Sequence, residues 1–346
     1  MPGEPLKTPR ATEDRLDGLR EEARRTGRLA ETGIPIVGGP IPRDAKVSPG
    51  YYGQPIVKPP VWTWQIGLYL FVGGTAGMSG VIALASLLAG QPLHFVRAAL
   101  GVALAGALIS PFLLIWDLGR PTRFLNMLRV FKWRSAMSMG VWTLFLFSGF
   151  AGSAFVLVAA WDVLMRSGVP PTALRGIALA LVAGTALSGA VLATYTGVLL
   201  GATAVPVWSA HHKLLPFHFG IVGLASAACV LELLGFRLAA LNAIALFVAA
   251  AETVVGIWLE IARQGATARA IHDRTPGLLL RIAALLTGPV PLVMRIVGWV
   301  PIAAVCFLIG AVSSRYGWVF AGRFSARDPE ETIATQNRQS WGITFM

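Results

Sequence analysis

Residues 95–124 read FVRAALGVALAGALISPFLLIWDLGRPTRF, and the architecture follows from them. The apolar run Phe95–Trp116 is long enough, at about 1.5 Å per helical residue, to cross the ~30 Å hydrocarbon core of a bilayer. An acid and two arginines, Asp117, Arg120 and Arg123, follow at once. Arginine offers a planar fork of donors, and aspartate an acceptor that also carries a proton. Two readings of this helix end stand side by side. It is a capped terminus with interface anchors, or a site at the membrane lip for a ligand that arrives through lipid and exchanges protons with water.

The same pattern recurs along the chain. The 346 residues are 55% hydrophobic and 13% charged, with a mean hydropathy of +0.65. Soluble domains carry about 25% charged residues. The deficit lies in runs near twenty residues long, so the fold class is all-α and polytopic. The ten-residue alternation of an outer-membrane barrel is absent. Eight spans are predicted: Val61–Leu88, Phe95–Trp116, Met137–Val163, Ala173–Ala202, Leu214–Leu234, Ala239–Ile261, Gly277–Ile296 and Trp299–Phe320. The seventh contains Arg281, Gly288, Pro289 and Pro291 and reads as a broken or re-entrant helix. Three parts result: a polar arm over 1–60 that docks a partner, the eight-helix domain over 61–322, and a tail over 323–346. Within the arm, Thr12 caps a helix that ends near Gly27, and Ile34–Pro60 is extended. The N-terminus is charged and lacks an apolar core, so no cleaved signal peptide is expected.

The net charge of +12 does not point to nucleic acid, because Lys and Arg fall in the arm and in alternate loops. The loop after span two carries Arg120, Arg123, Arg129, Lys132 and Arg134. The opposite side carries Arg97, Arg166, Arg175, Arg237 and Arg295. The positive-inside rule therefore puts both termini and the Asp117 loop in the cytoplasm, with the chain in the plasma (inner) membrane. In span one, Gly73, Ala76, Gly77 and Gly80 share a face; in span four, Ala193, Gly197 and Gly201 do. Such faces let helices approach closely.

A membrane cytochrome b pairs histidines near mid-bilayer. Here His94, His211, His212, His218 and His272 all fall near helix ends or in loops, so no haem is expected. Cys229 and Cys306 are isolated, so this chain lacks the usual spacing for an iron–sulfur cluster. On the side of the termini, the start of span one offers Trp62, Trp64, Gln65 and Tyr69. Span two ends with Asp117 and Arg120, Tyr195 lies about two turns below the end of span four, and His218 is one turn into span five. Gln65, Asp117, Tyr195 and His218 can share one depth, a set of donors, acceptors and titratable groups that suits a quinone. Structural hydrogen bonds for Tyr195 and His218 are the alternative. Glu252, near the centre of span six, and Glu232 in span five are each protonated, paired or beside a wet cavity. They belong to a proton route or to structural hydrogen bonding.

The sequence Trp62-x-Trp64, Tyr69-Leu70-Phe71-Val72-Gly73-Gly74, then Asp117-Leu118-Gly119-Arg120-Pro121-x-Arg123-Phe124, Ser135-x-Met137-Ser138-x-Gly140 and Tyr195-x-Gly197-x-Leu199-Leu200 resembles the NrfD/PsrC family, over roughly residues 51–328. The resemblance implies an eight-helix, haem-free subunit that binds menaquinone or ubiquinone. It would serve a ferredoxin-like iron–sulfur subunit and a molybdenum-cofactor catalytic subunit. It assigns quinone contact to Asp117 and Tyr195, with the start of span one (Trp64, Gln65) completing the pocket. Asp117 would accept or donate the proton, Arg120 would tune it, and Arg123 would join the cofactor-binding residues. In several relatives the catalytic subunits lie outside the cytoplasm, against the charge count here. A secondary transporter and an inert membrane anchor are the competing functions.

Overall fold

The computed structural model describes residues 18, 21, 56–58, 60–118, 123–261, 268–272, 274–329 and 332–333. Of the unit 1–55, Gly18 and Glu21 are described, both helical and exposed. The rest of the arm, Gly119–Thr122 with Arg120, and residues 334–346 of the tail lie outside the described residues. The second unit, from Ile56 onward, is built of helices.

Those helices are α1 (Trp64–Leu88), α2 (Leu93–Asp117), α3 (Arg123–Arg129), α4 (Ala136–Ala159), α5 (Trp161–Arg166), α6 (Pro171–Gly201), α7 (Pro206–Ala210), α8 (Leu214–Leu233), α9 (Ala239–Ile261), α10 (Ala268–His272), α11 (Arg274–Thr287), α12 (Pro289–Ile296) and α13 (Val300–Ser325). Among the described residues eight spans are long and apolar enough to cross a membrane, α11 and α12 together forming the seventh. The third span stops at Ala159, short of the expected Val163, and α5 follows as a separate turn. The last span continues past Phe320 to Ser325. His272 ends the short helix α10, where the sequence suggests a loop.

Helix α1 is the hub, packing on α2, α6, α8 and α13, while α8 also meets α6, α9 and α13. The small faces are helix crossings. A Cβ on Gly77 would run into the Gly189 carbonyl of α6, and the converse holds for Gly189. Gly197 meets the backbone at Leu215–Pro216 in the same way. Dispersion contact between backbones replaces the hydrophobic drive that lipid cannot supply.

Local chemistry sets the helix ends and breaks. Ser135 caps α4, its Oγ accepting from the Ser138 N–H at 3.4 Å, while Ser138 Oγ accepts from the Lys132 N–H at 3.0 Å. The Ser-x-Met-Ser string thus fixes the turn into α4. Pro111 lies inside α2 and leaves the Ala107 carbonyl without its helical donor. Ser148 of α4 points its hydroxyl at that oxygen at 3.3 Å, while bonding Leu144 O at 2.8 Å. The seventh span breaks at Gly288, with Pro289 opening α12. The broken reading therefore describes it.

Candidate functional site

The start of α1 and the end of α2 are joined by Asp117. The Thr63 N–H donates to Asp117 Oδ1 at 3.2 Å. The Thr63 hydroxyl, free of any cap bond to its own helix, contacts the same Oδ1 and the Gln65 side-chain carbonyl. A carboxylate at the N-terminal end of α1 also sits where the helix dipole favours negative charge.

Asp117 and Tyr195 line the same cavity, of about 120 Å³. Trp62 and Tyr69 face it from the α1 side, Phe124 and Met127 from α3, and Met137, Gly140 and Val141 from α4. Tyr195 reaches α4 and donates its hydroxyl to the Ala136 carbonyl. Gly140 makes this possible, because a Cβ there would overlap the phenol ring. With its proton so committed, the Tyr195 oxygen keeps only acceptor capacity. The Tyr69 phenol, buried at the same cavity, makes no protein hydrogen bond among the described residues. Trp62 stacks on Trp208 at 5.0 Å and 16°, and the Trp208 Nε1–H donates to Trp318 O at 2.8 Å. Behind them the His211 Nδ1–H donates to Val207 O at 2.8 Å, and burial pushes that imidazole below its usual range.

The other candidates fall elsewhere. Gln65 is buried and touches the site through Thr63, without lining the cavity. Trp64 is exposed, set edge-on to Trp116, and its carbonyl accepts from the Tyr316 hydroxyl at 2.8 Å; Trp62 takes the place at the cavity wall expected of it. Arg123 begins α3. His218, expected at the same depth, does not line the cavity. Its Nδ1 pairs with Glu252 Oε1 at 2.9 Å, and its Nε2 with Ser314 Oγ at 3.0 Å. Periodicity cannot tell which of two neighbouring interfaces a residue one turn into a helix will enter.

Glu252 and Glu232 occupy separate clusters. Arg295 of α12 clamps Glu232 with two bonds, of 2.8 and 2.6 Å, and donates to Asn242 Oδ1 at 2.8 Å. Between that cluster and Glu252 lies an apolar layer that includes Val222, Ala225, Ala245, Val248, Phe307 and Ala311. Along α9, Asn242 and Glu252 are separated by about 15 Å of helix. The sequence reading missed Arg315 and gave Arg295 no partner, since a lone arginine in an apolar run shows no partner until the fold closes.

A family model described as "Polysulphide reductase, NrfD" matches residues 56–262. The chain belongs to the NrfD family. Over 92 residues it is 36% identical to the C subunit of polysulfide reductase from Wolinella succinogenes, a match covering 25% of this chain and 28% of that protein. This NrfD-family chain is a multi-pass membrane protein, and its family match includes both Asp117 and Tyr195.

Proposed function

We propose that this NrfD-family chain is the haem-free, quinone-binding membrane subunit of a multi-subunit oxidoreductase, passing electrons between a quinone and a partner iron–sulfur subunit. The observation that carries the reading is the cavity, where a carboxylate from α2 and phenols from α1 and α6 meet between apolar walls. The cavity, about 120 Å³, would take the edge of a flat ring between its apolar walls. An isoprenoid tail would lie outside it, against lipid.

The donor set fits both forms of such a ligand. The Asp117 carboxylate and the Tyr195 oxygen accept from the hydroxyls of a quinol, and Tyr69 offers a donor to a quinone carbonyl. A quinone supplies two-electron, two-proton chemistry. Asp117 takes up or returns a proton at its free oxygen while Thr63 holds the other, and the apolar walls exclude water from the ring. Arg120 and Arg123 follow closely in sequence and supply positive charge that tunes Asp117. Menaquinone and ubiquinone both meet these requirements.

Electrons leave or enter through a ferredoxin-like iron–sulfur subunit, and a molybdenum-cofactor subunit acts on the final substrate. The likeness to a polysulfide reductase subunit of Wolinella supports such a complex. The lysine and arginine distribution supports docking on a cytoplasmic face of the plasma membrane. Purification from native membranes after mild solubilisation tests the reading. Co-purifying iron–sulfur absorbance and extractable quinone are expected. A lone protein that carries neither, or that catalyses solute uptake by itself, contradicts it.

A further inference from the structure

The interior cluster around Glu252 has a role that the quinone reading does not use. Glu252, His218, Ser314, Thr287 and Arg315 are all buried. The Thr287 hydroxyl approaches Glu252 Oε2 at 3.4 Å, but its shorter bond, 2.9 Å, goes to Ala283 O. One hydroxyl proton serves one of these, so Oε2 is left short of a donor. Arg315 lies 3.7 Å over the Phe219 ring and donates from Nη2 to Phe219 O at 3.0 Å. Its Nε and Nη1 are buried without a hydrogen-bond partner among the described residues. Arg315 and Phe219 adjoin Ser314 and His218 in sequence, which sets the guanidinium beside the Glu252 cluster with no direct hydrogen bond to the carboxylate among the described residues.

An unsatisfied donor pair and an under-satisfied acceptor in one buried cluster are the kinds of group that a bridging water, with two to four hydrogen bonds, would satisfy. The charge balance points the same way. Arg315 is always positive. A carboxylate at Glu252 offsets that charge. One further proton, shared along the 2.9 Å His218–Glu252 contact, makes the cluster singly positive. Other ionisable groups on the surrounding helices are placed elsewhere, Arg323 of α13 over the Phe320 ring. Tyr69 of α1 and Tyr195 of α6 face the cavity, Arg281 of α11 bonds Glu260, Arg295 of α12 bonds Glu232, and Tyr316 of α13 bonds Trp64 O.

We propose that His218, Glu252 and Arg315 form a buried, water-linked site that binds one exchangeable proton. The site goes beyond the quinone reading and does not depend on it. Infrared difference spectra of the full chain in lipid nanodiscs, titrated between about pH 5 and about pH 9, test it. A carboxylic-acid band is expected that shifts on transfer to D2O, disappears in E252Q and persists in E232Q. R315Q removes the fixed charge and should raise the band's midpoint by about one pH unit or more, a tenfold gain in proton affinity. R315K, which keeps the charge, should leave the midpoint close to wild type. H218F removes a donor to the carboxylate and should also raise it, so the test stands if R315Q does not insert. A band that is absent, independent of pH, unmoved by D2O or unchanged in these variants overturns the proposal.

Discussion

The Thr63 amide donates to Asp117 Oδ1 at 3.2 Å, tying the entry of the first span to the exit of the second. The hydroxyl of the same threonine adds a second contact. Hydrogen bonds to a charged group are worth about 1.5–3 kcal/mol. Thr63→Val keeps the N–H and the volume but loses the hydroxyl. Quinol-linked turnover of the complex should fall by about tenfold or more, in kcat/KM, while the catalytic partner's activity with an artificial dye stays unchanged.

Tyr195 and Gly140 form a matched pair. Tyr195→Phe removes the side-chain hydrogen bond to the Ala136 carbonyl, a loss of about 0.5–1.5 kcal/mol. It also removes an acceptor from the cavity. A lower midpoint in thermal unfolding and a weakened KM for quinol are expected together. Gly140→Ala should reproduce the KM effect with Tyr195 intact, because the new Cβ displaces the ring. Kinetics of the two variants in the same membrane preparation check this.

The bundle itself was legible because a membrane span announces itself by length and apolarity, and six of its eight spans fall within a few residues of their expected bounds. Asp117 and Tyr195 were legible because both lie near helix ends at one depth on one side. What sequence could not give was azimuth. His218 was expected at the same depth as Asp117 and Tyr195, yet its face of α8 meets α9 and α13 rather than the cavity. Trp62 and Trp64 differ by two positions, and their roles at the wall depend on how the chain enters α1. The partners of Arg315 and Arg295 are long-range contacts that no local pattern encodes.

Arg295 should matter to stability and not to turnover. Arg295→Met leaves the Glu232 carboxylate buried and unpaired, at a cost of about 3–5 kcal/mol. Adding Glu232→Gln should recover much of that loss. Thermal unfolding in detergent measures both, and the folded fraction should retain its quinol activity per molecule.

His211 predicts an acid limit to stability. Burial lowers the folded imidazole's pKa, whereas the unfolded chain takes up its proton near ~6.5. The unfolded state therefore binds more protons in acid, and the contribution is fully present above ~6.5 and declines as pH falls below it. Unfolding midpoints compared at about pH 7.5 and about pH 5.5 should differ less in His211→Gln than in wild type.

Asp117→Asn is the decisive variant for the quinone site. It keeps the side chain's shape and an acceptor oxygen but cannot take up a proton. Measured in the intact complex, quinone-linked electron transfer should be lost while dye-linked activity of the catalytic subunit persists. Quinone-linked transfer at the wild-type rate would overturn the assignment, and the Asp117 end of α2 would then be only a well-tied helix terminus.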